Sequence, residues 1–127
     1  APQPLENAIA MSRYVEQLVV VGDGQRFVAA LVVPDFAMLQ NWADEKNKHK
    51  TPEELCIDTD VIALVRAEID VLQGGFSTFE QVRDFRLLST PFSIDDGTLT
   101  PTLKTVRRVV ERKYAELIDE IYSEGES

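Results

Sequence analysis

VEQLVVVGDGQRFVAALVVP, residues 15–34, is two apolar runs on either side of a pair of glycines. VEQLVVV (15–21) reads as a strand, GDGQR (22–26) as a turn, and FVAALVVP (27–34) as the returning strand. Together they predict a β-hairpin with a five-residue loop. Both strands are apolar nearly without interruption, where a strand with one wet face would alternate. Both faces of the resulting sheet are therefore expected to be covered.

The elements around the hairpin predict what covers it. On the N-terminal side, Pro4 suits a first helical turn, and Leu5, Ala8 and Ile9 share one face of a short helix. After the hairpin, Asp35 can cap a helix through Ala37, Leu39 and Trp42 to about Lys46. The run DEKNKHK (44–50) predicts a solvated helix end and loop, and Thr51, Pro52 and Glu53 start another turn. Asp58 or Thr59 then opens a helix whose stripe is Val61, Leu64, Val65, Ile69 and Leu72, with Gly74 and Gly75 ending it. A third strand is expected at about 82–88. The fold class is α+β: a small sheet built on an N-terminal-half hairpin, covered by helices, with a C-terminal hairpin–lysine loop and a long final helix.

Composition sets outer bounds. The 127 residues suit one domain, and 44% hydrophobic with 28% charged residues can support a core. Thirteen basic against 22 acidic residues give a formal charge of −9, which argues against a general nucleic-acid binder. The single cysteine, Cys56, permits no internal disulfide. With one His49 as its only companion, it cannot make a four-ligand zinc site from N and S donors. No run approaches the roughly 20 apolar residues of a spanning helix. APQPLENAIA (1–10) is neither a signal nor a transit peptide, and the missing initial Met predicts a piece cut from a longer chain.

The chemistry-bearing stretch is LTPTLKTVRR (99–108). FSIDDGTLT (92–100) carries Asp96-Gly97, a hairpin signal. Pro101 fixes its own φ and pushes Thr100 out of the helical region. Thr102 or Thr105 can cap a helix striped by Val106, Val109, Val110, Tyr114, Leu117, Ile118 and Ile121, and the SEGES tail is expected to fray. Arg107 with Glu111 and Arg112 with Glu116 are spaced for surface ion pairs worth about 0.2–0.5 kcal/mol each. Lys104, Arg107, Arg108, Arg112 and Lys113 place five of the 13 basic residues in ten positions. A lysine at a helix start can hold an anion together with the free N–H groups there. Two readings stay open from residues alone: a solvent-facing lysine, and an α+β interaction module that binds an anionic partner through residues 104–113.

The segments APQPLENAI (1–9), VVVGDGQRFVAALVVPDF (19–36), FRLLSTPFSIDDGTLTPTLK (85–104) and RRVVERKYAELIDEIY (107–122) resemble the C-terminal domain of long-chain fatty-acid–CoA ligases, members of the adenylate-forming enzymes. Other branches of those enzymes carry Ser-Gly-Lys where this chain has Thr102-Leu103-Lys104. The resemblance implies that residues 1–127 form the lid of a longer enzyme whose large N-terminal domain binds ATP and the acyl group. It implies ATP, CoA and Mg2+ as cofactors of the full-length protein, with none bound to this part alone. Fatty acid, ATP and CoA are the implied substrates, and the upstream domain is the implied partner. A cytoplasmic location with peripheral membrane contact is implied by the fatty substrate. Lys104 is the implied adenylation lysine. Arg107 and Arg108 read either as contacts to CoA or nucleotide phosphates or as a solvated helix face, with a mild effect on both half-reactions expected on changing Arg107, and no metal ligand is expected. Glu6 reads as structural, Gly22 and Gly24 as turn residues, His49 as loop, Cys56 and Trp42 as core, and Tyr114 and Tyr122 as packing residues.

Overall fold

The structure is a computed structural model that describes residues 2–124. Ala1 and residues 125–127, the end of the SEGES tail, lie outside the described residues, while Ser123 and Glu124 close the last helix.

Strand β1 (Val15–Val21) pairs antiparallel with β2 (Val28–Pro34), and β2 pairs parallel with β3 (Val82–Leu87). The sheet order is β1-β2-β3, with the hairpin strands where the sequence places them. A parallel pair needs a long crossover. Helices α2 (Phe36–Glu45), α3 (Pro52–Ile57) and α4 (Thr59–Leu72) supply it. Successive side chains on a strand point to opposite faces. Leu18, Val20, Ala30, Val32 and Phe85 accordingly pack with α4 and with α1 (Gln3–Ile9), through Val65, Ile69, Leu5 and Ile9. Val19, Val21, Ala29, Leu31 and Val33 pack on the other face with α5 (Arg107–Lys113) and α6 (Ala115–Glu124), through Val110, Ile121 and Tyr122. The nearly continuous apolar runs, broken only at Glu16 and Gln17, thus report a sheet covered on both sides. Each fully buried Val, Leu or Ile contributes about 1.5–3 kcal/mol relative to exposure.

Caps delimit the crossover helices. Asp35 accepts from the Met38 N–H at 3.1 Å, and Thr51 with Glu54 forms a reciprocal capping box. Asp58 caps α4 by accepting from the Asp60 and Val61 amides at 2.8 and 3.1 Å. Its other oxygen takes Lys50 at 2.6 Å and Lys48 at 3.2 Å. The charged run 44–50 is therefore clamped at its end, where the sequence predicts only a solvated loop.

Glycine is required at Gly22. Its φ is +123°, and a Cβ there would stand 2.5 Å from the Tyr122 hydroxyl and 2.8 Å from the Phe27 carbonyl oxygen. Tyr122 donates to that same carbonyl at 2.9 Å, so α6 closes on the hairpin turn through the space a side chain would fill. Gly22→Ala is expected to lower unfolding stability by about 2 kcal/mol or more, since strain and overpacking add. A denaturant midpoint equal to the parent's would contradict this packing.

Both outer strands have edge groups covered by a carboxylate–guanidinium pair. On β1, the Val20 N–H donates to Glu6 at 2.7 Å and the Val20 carbonyl accepts from Arg107. On β3, the Phe85 N–H donates to Asp84 at 2.8 Å and the Phe85 carbonyl accepts from Arg86 at 3.1 Å. Arg86 also reaches Glu124 at 2.6 Å. One acceptor and one donor held side by side imitate a neighbouring strand, which blunts the edge against pairing with another chain.

Candidate functional site

Lys104 sits in a loop whose shape is set by a few hydrogen bonds. Leu99 and Thr105 form an antiparallel bridge. Within it, the Leu103 N–H donates to the Thr100 carbonyl and the Thr100 N–H to the Lys104 carbonyl, each at 2.8 Å. This is the pattern of a three-residue hairpin loop, Pro101-Thr102-Leu103, with Pro at the turn position its fixed φ suits. Leu103 takes φ +64°, the left-handed conformation that this loop type demands of its last residue. The Thr100 hydroxyl accepts from the Lys104 N–H at 3.1 Å and lies 3.1 Å from the Thr102 hydroxyl. Residues 101–105 are all exposed, and the Lys104 ammonium has no ion partner among the described residues. The lysine is thus stiffly presented and not neutralised by any described residue.

The loop is bolted to the domain at three points. The Gln17 side-chain amide accepts from the Phe92 N–H at 2.7 Å and donates to the Phe92 carbonyl at 3.4 Å. Lys113 reaches Asp96 at 2.6 Å. The Val106 N–H donates to the buried Thr98 carbonyl at 2.8 Å. The Lys113 ammonium holds the Asp96 carboxyl well below the usual carboxylate range, with the Thr98 hydroxyl and amide adding to the effect. A depressed carboxyl contributes its stabilisation above its unfolded value of about 4 and loses it as pH falls toward the folded value. The tie therefore persists at neutral and mildly acidic pH.

Several expectations change here. The Asp96-Gly97 signal makes a turn at 94–97, with Gly97 at φ +80°, but no strands flank it. Thr98 explains this: its hydroxyl donates to Asp96 at 2.6 Å and accepts from the Ser93 N–H at 2.8 Å, so side chains satisfy groups a ladder would use. The hairpin instead closes a few residues later, around Lys104. Neither Thr102 nor Thr105 caps the last helix; its N-cap is Val106, without a side-chain cap, because Thr105 is held in the bridge. The long final helix is two segments that meet at Tyr114, with φ −110° and ψ 26°.

Arg107 does not pair with Glu111. Its guanidinium lies on Glu6 at 2.8 and 3.3 Å and on the Val20 carbonyl, tying the start of α5 to α1 and β1. The structural reading of Glu6 holds for this reason, whereas Arg107 is committed within the domain. With Lys113 also engaged, the basic run 104–113 does not present one free cationic face; Lys104, Arg108 and Arg112 remain exposed. Cys56 is a core residue whose thiol burial pushes up to about 11, so it is not a nucleophile at neutral pH. Trp42 and Tyr114 are half-buried against apolar clusters, and His49 is exposed in a loop. Sequence reasoning missed the Glu6–Arg107 tie and the left-handed Leu103. Pro101 marks a turn but does not say which residue turns left-handed, and the tie had no local signal at all.

Residues 1–126 match the family described as AMP-binding enzyme C-terminal domain. The chain is 37% identical over 126 residues to long-chain-fatty-acid–CoA ligase 1 of Cavia porcellus, covering 97% of this chain and 18% of that protein. It is 35% identical over 125 residues to long-chain-fatty-acid–CoA ligase FadD15 of Mycobacterium tuberculosis, covering 97% and 21%. The chain therefore spans about a fifth of the length of these curated relatives. Among solved structures, the A domain of carboxylic acid reductase from Segniliparus rugosus, in complex with AMP and a co-purified carboxylic acid, superposes with a TM-score of 0.79 at 28% identity, over 98% of this chain and 18% of that one. The adenylation domain of the carboxylate reductase from Mycobacterium chelonae gives 0.78 at 25% identity, over 97% and 18%.

Proposed function

The chain belongs to the AMP-binding enzyme C-terminal domain family, and from that premise we propose that it is the closing lid of an AMP-forming long-chain fatty-acid–CoA ligase, joined to an upstream domain that binds ATP and the acyl group. In this reading a fatty-acid carboxylate attacks the α-phosphorus of ATP and pyrophosphate leaves. The CoA thiol then attacks the acyl-adenylate carbonyl and AMP leaves, giving the thioester. The lid supplies Lys104 to the first step and turns it away for the second.

The observation that carries this reading is the exposed, hydrogen-bonded loop that ends in an ammonium without an ion partner among the described residues. Adenylation brings two anions together and builds charge on phosphoryl oxygens, so a preorganised cation lowers the barrier. At about 4 Å and an effective dielectric near 20, one charge pair is worth roughly 4 kcal/mol, or nearly three decades in rate. Closure also keeps water from the hydrolysable acyl-adenylate. Among the described residues no group of three or more His, Cys, Asp or Glu side chains is placed to hold a metal ion. This reading accordingly assigns Mg2+ and the triphosphate to the upstream domain. Arg108, exposed on the first turn of α5, is the remaining contact for CoA or nucleotide phosphates. No helix among the described residues is long and apolar enough to cross a membrane.

The division of labour is testable on the isolated chain. Calorimetry with ATP, fatty acid and Mg2+ is expected to give no strong binding and no acyl-adenylate. Micromolar ATP binding by residues 1–127 alone would mean that the nucleotide site has been misplaced.

A further inference from the structure

We propose that Leu103 is a positioning residue: its side chain seats against an apolar contact on the domain that Lys104 enters, and so fixes where the ammonium lands. This rests on the lid reading above. Leu103 is 68% exposed, so its apolar side chain gains little within the chain. It also occupies φ +64°, where a Cβ is disfavoured and where glycine or asparagine would sit with less strain. Two unfavourable features therefore coincide at one residue with no return inside the domain. Other exposed apolar side chains, such as Met11 and Val71, lie on ordinary backbone.

Geometry says where the return comes from. Consecutive Cα atoms are about 3.8 Å apart, and the loop is closed by the Leu103–Thr100 and Thr100–Lys104 backbone bonds. Leu103 and Lys104 therefore move as one body. When the ammonium reaches the reacting carboxylate and phosphate, Leu103 must enter the same interface and lose its water. A rigid apolar neighbour then favours the closed arrangement, and a polar one opposes it. The occupant of the contact is thus the upstream domain.

The test uses a full-length ligase that carries this domain, with three substitutions at Leu103. Leu103→Gly relieves the backbone but loosens the loop, Leu103→Asn tolerates the left-handed conformation yet is polar, and Leu103→Met keeps an apolar side chain. Because the first two relax strain, their melting temperatures are expected to equal or exceed the parent's. Leu103→Asn and Leu103→Gly are expected to lower kcat of fatty-acid-dependent pyrophosphate exchange about tenfold, with KM for ATP unchanged. Leu103→Met is expected to stay within about threefold of the parent, and thioester formation from supplied acyl-adenylate to be unaffected in all three. A fully active Leu103→Asn beside an impaired Leu103→Gly would mean that only loop stiffness matters and would overturn the proposal. A KM for fatty acid that rises with acyl length would place Leu103 against substrate and overturn it as well. Lys104→Ala, assayed alongside, separates the two levels: if it is impaired while Leu103→Asn is not, only this inference fails, and if it is unimpaired the lid reading fails.

Discussion

Lys104→Ala in the full-length enzyme is expected to slow fatty-acid-dependent exchange of pyrophosphate into ATP by about two to three decades, the size of losing one preorganised charge. The fold should be untouched, because residues 101–105 are exposed and the loop is held by Thr100, Thr98 and backbone groups, none of which uses the lysine side chain. The two half-reactions should therefore separate, with thioester formation from supplied acyl-adenylate changing far less. Lys46→Ala, an exposed lysine at the end of α2, serves as the control. Equal loss in both half-reactions would point to damaged domain packing, and unchanged exchange would refute the role given to Lys104.

Arg107→Ala is expected to have the largest effect on stability, about 2–4 kcal/mol. The substitution leaves the Val20 carbonyl without its donor and the Glu6 carboxylate, whose side chain is 12% exposed, without its counter-charge. The sequence alone places Arg107 on a solvated helix face, spaced for a surface pair with Glu111 worth only about 0.2–0.5 kcal/mol. A double-mutant cycle distinguishes the two. In a Glu6→Ala background the further change of Arg107 should be much less costly, giving a coupling energy of about 1–3 kcal/mol. A single Arg107→Ala variant within about 0.5 kcal/mol of the parent would show that the edge tie carries no stability. Because α5 begins two residues after the Leu99–Thr105 bridge, a destabilised Arg107 variant is also expected to lose adenylation rate, with reduced thermal stability as its mark.

Features that depend on neighbours along the chain are legible in the residues alone. The nearly continuous apolar runs at 15–21 and 28–34 predict a two-faced sheet, and the Val61–Leu72 stripe predicts the helix that covers one face, because side-chain period is a local property. Pro101 and the uncharged residues before Lys104 likewise marked a stiff approach to one cation. Features that depend on which distant groups meet emerge only from the folded chain. Glu6 and Arg107, 101 residues apart, could be assigned to each other only once α1 and α5 were seen to converge on the unpaired groups of Val20. The same holds for Lys113 with Asp96, which removed one cation from the basic run and tied the turn before Lys104 to α5. The parallel pairing of β2 with β3 and the left-handed Leu103 also waited on the fold. The reason is physical: propensity and periodicity act within a few residues, whereas an ion pair, a sheet edge or a strained φ is selected by the sum of packing around it, which no single stretch of sequence contains.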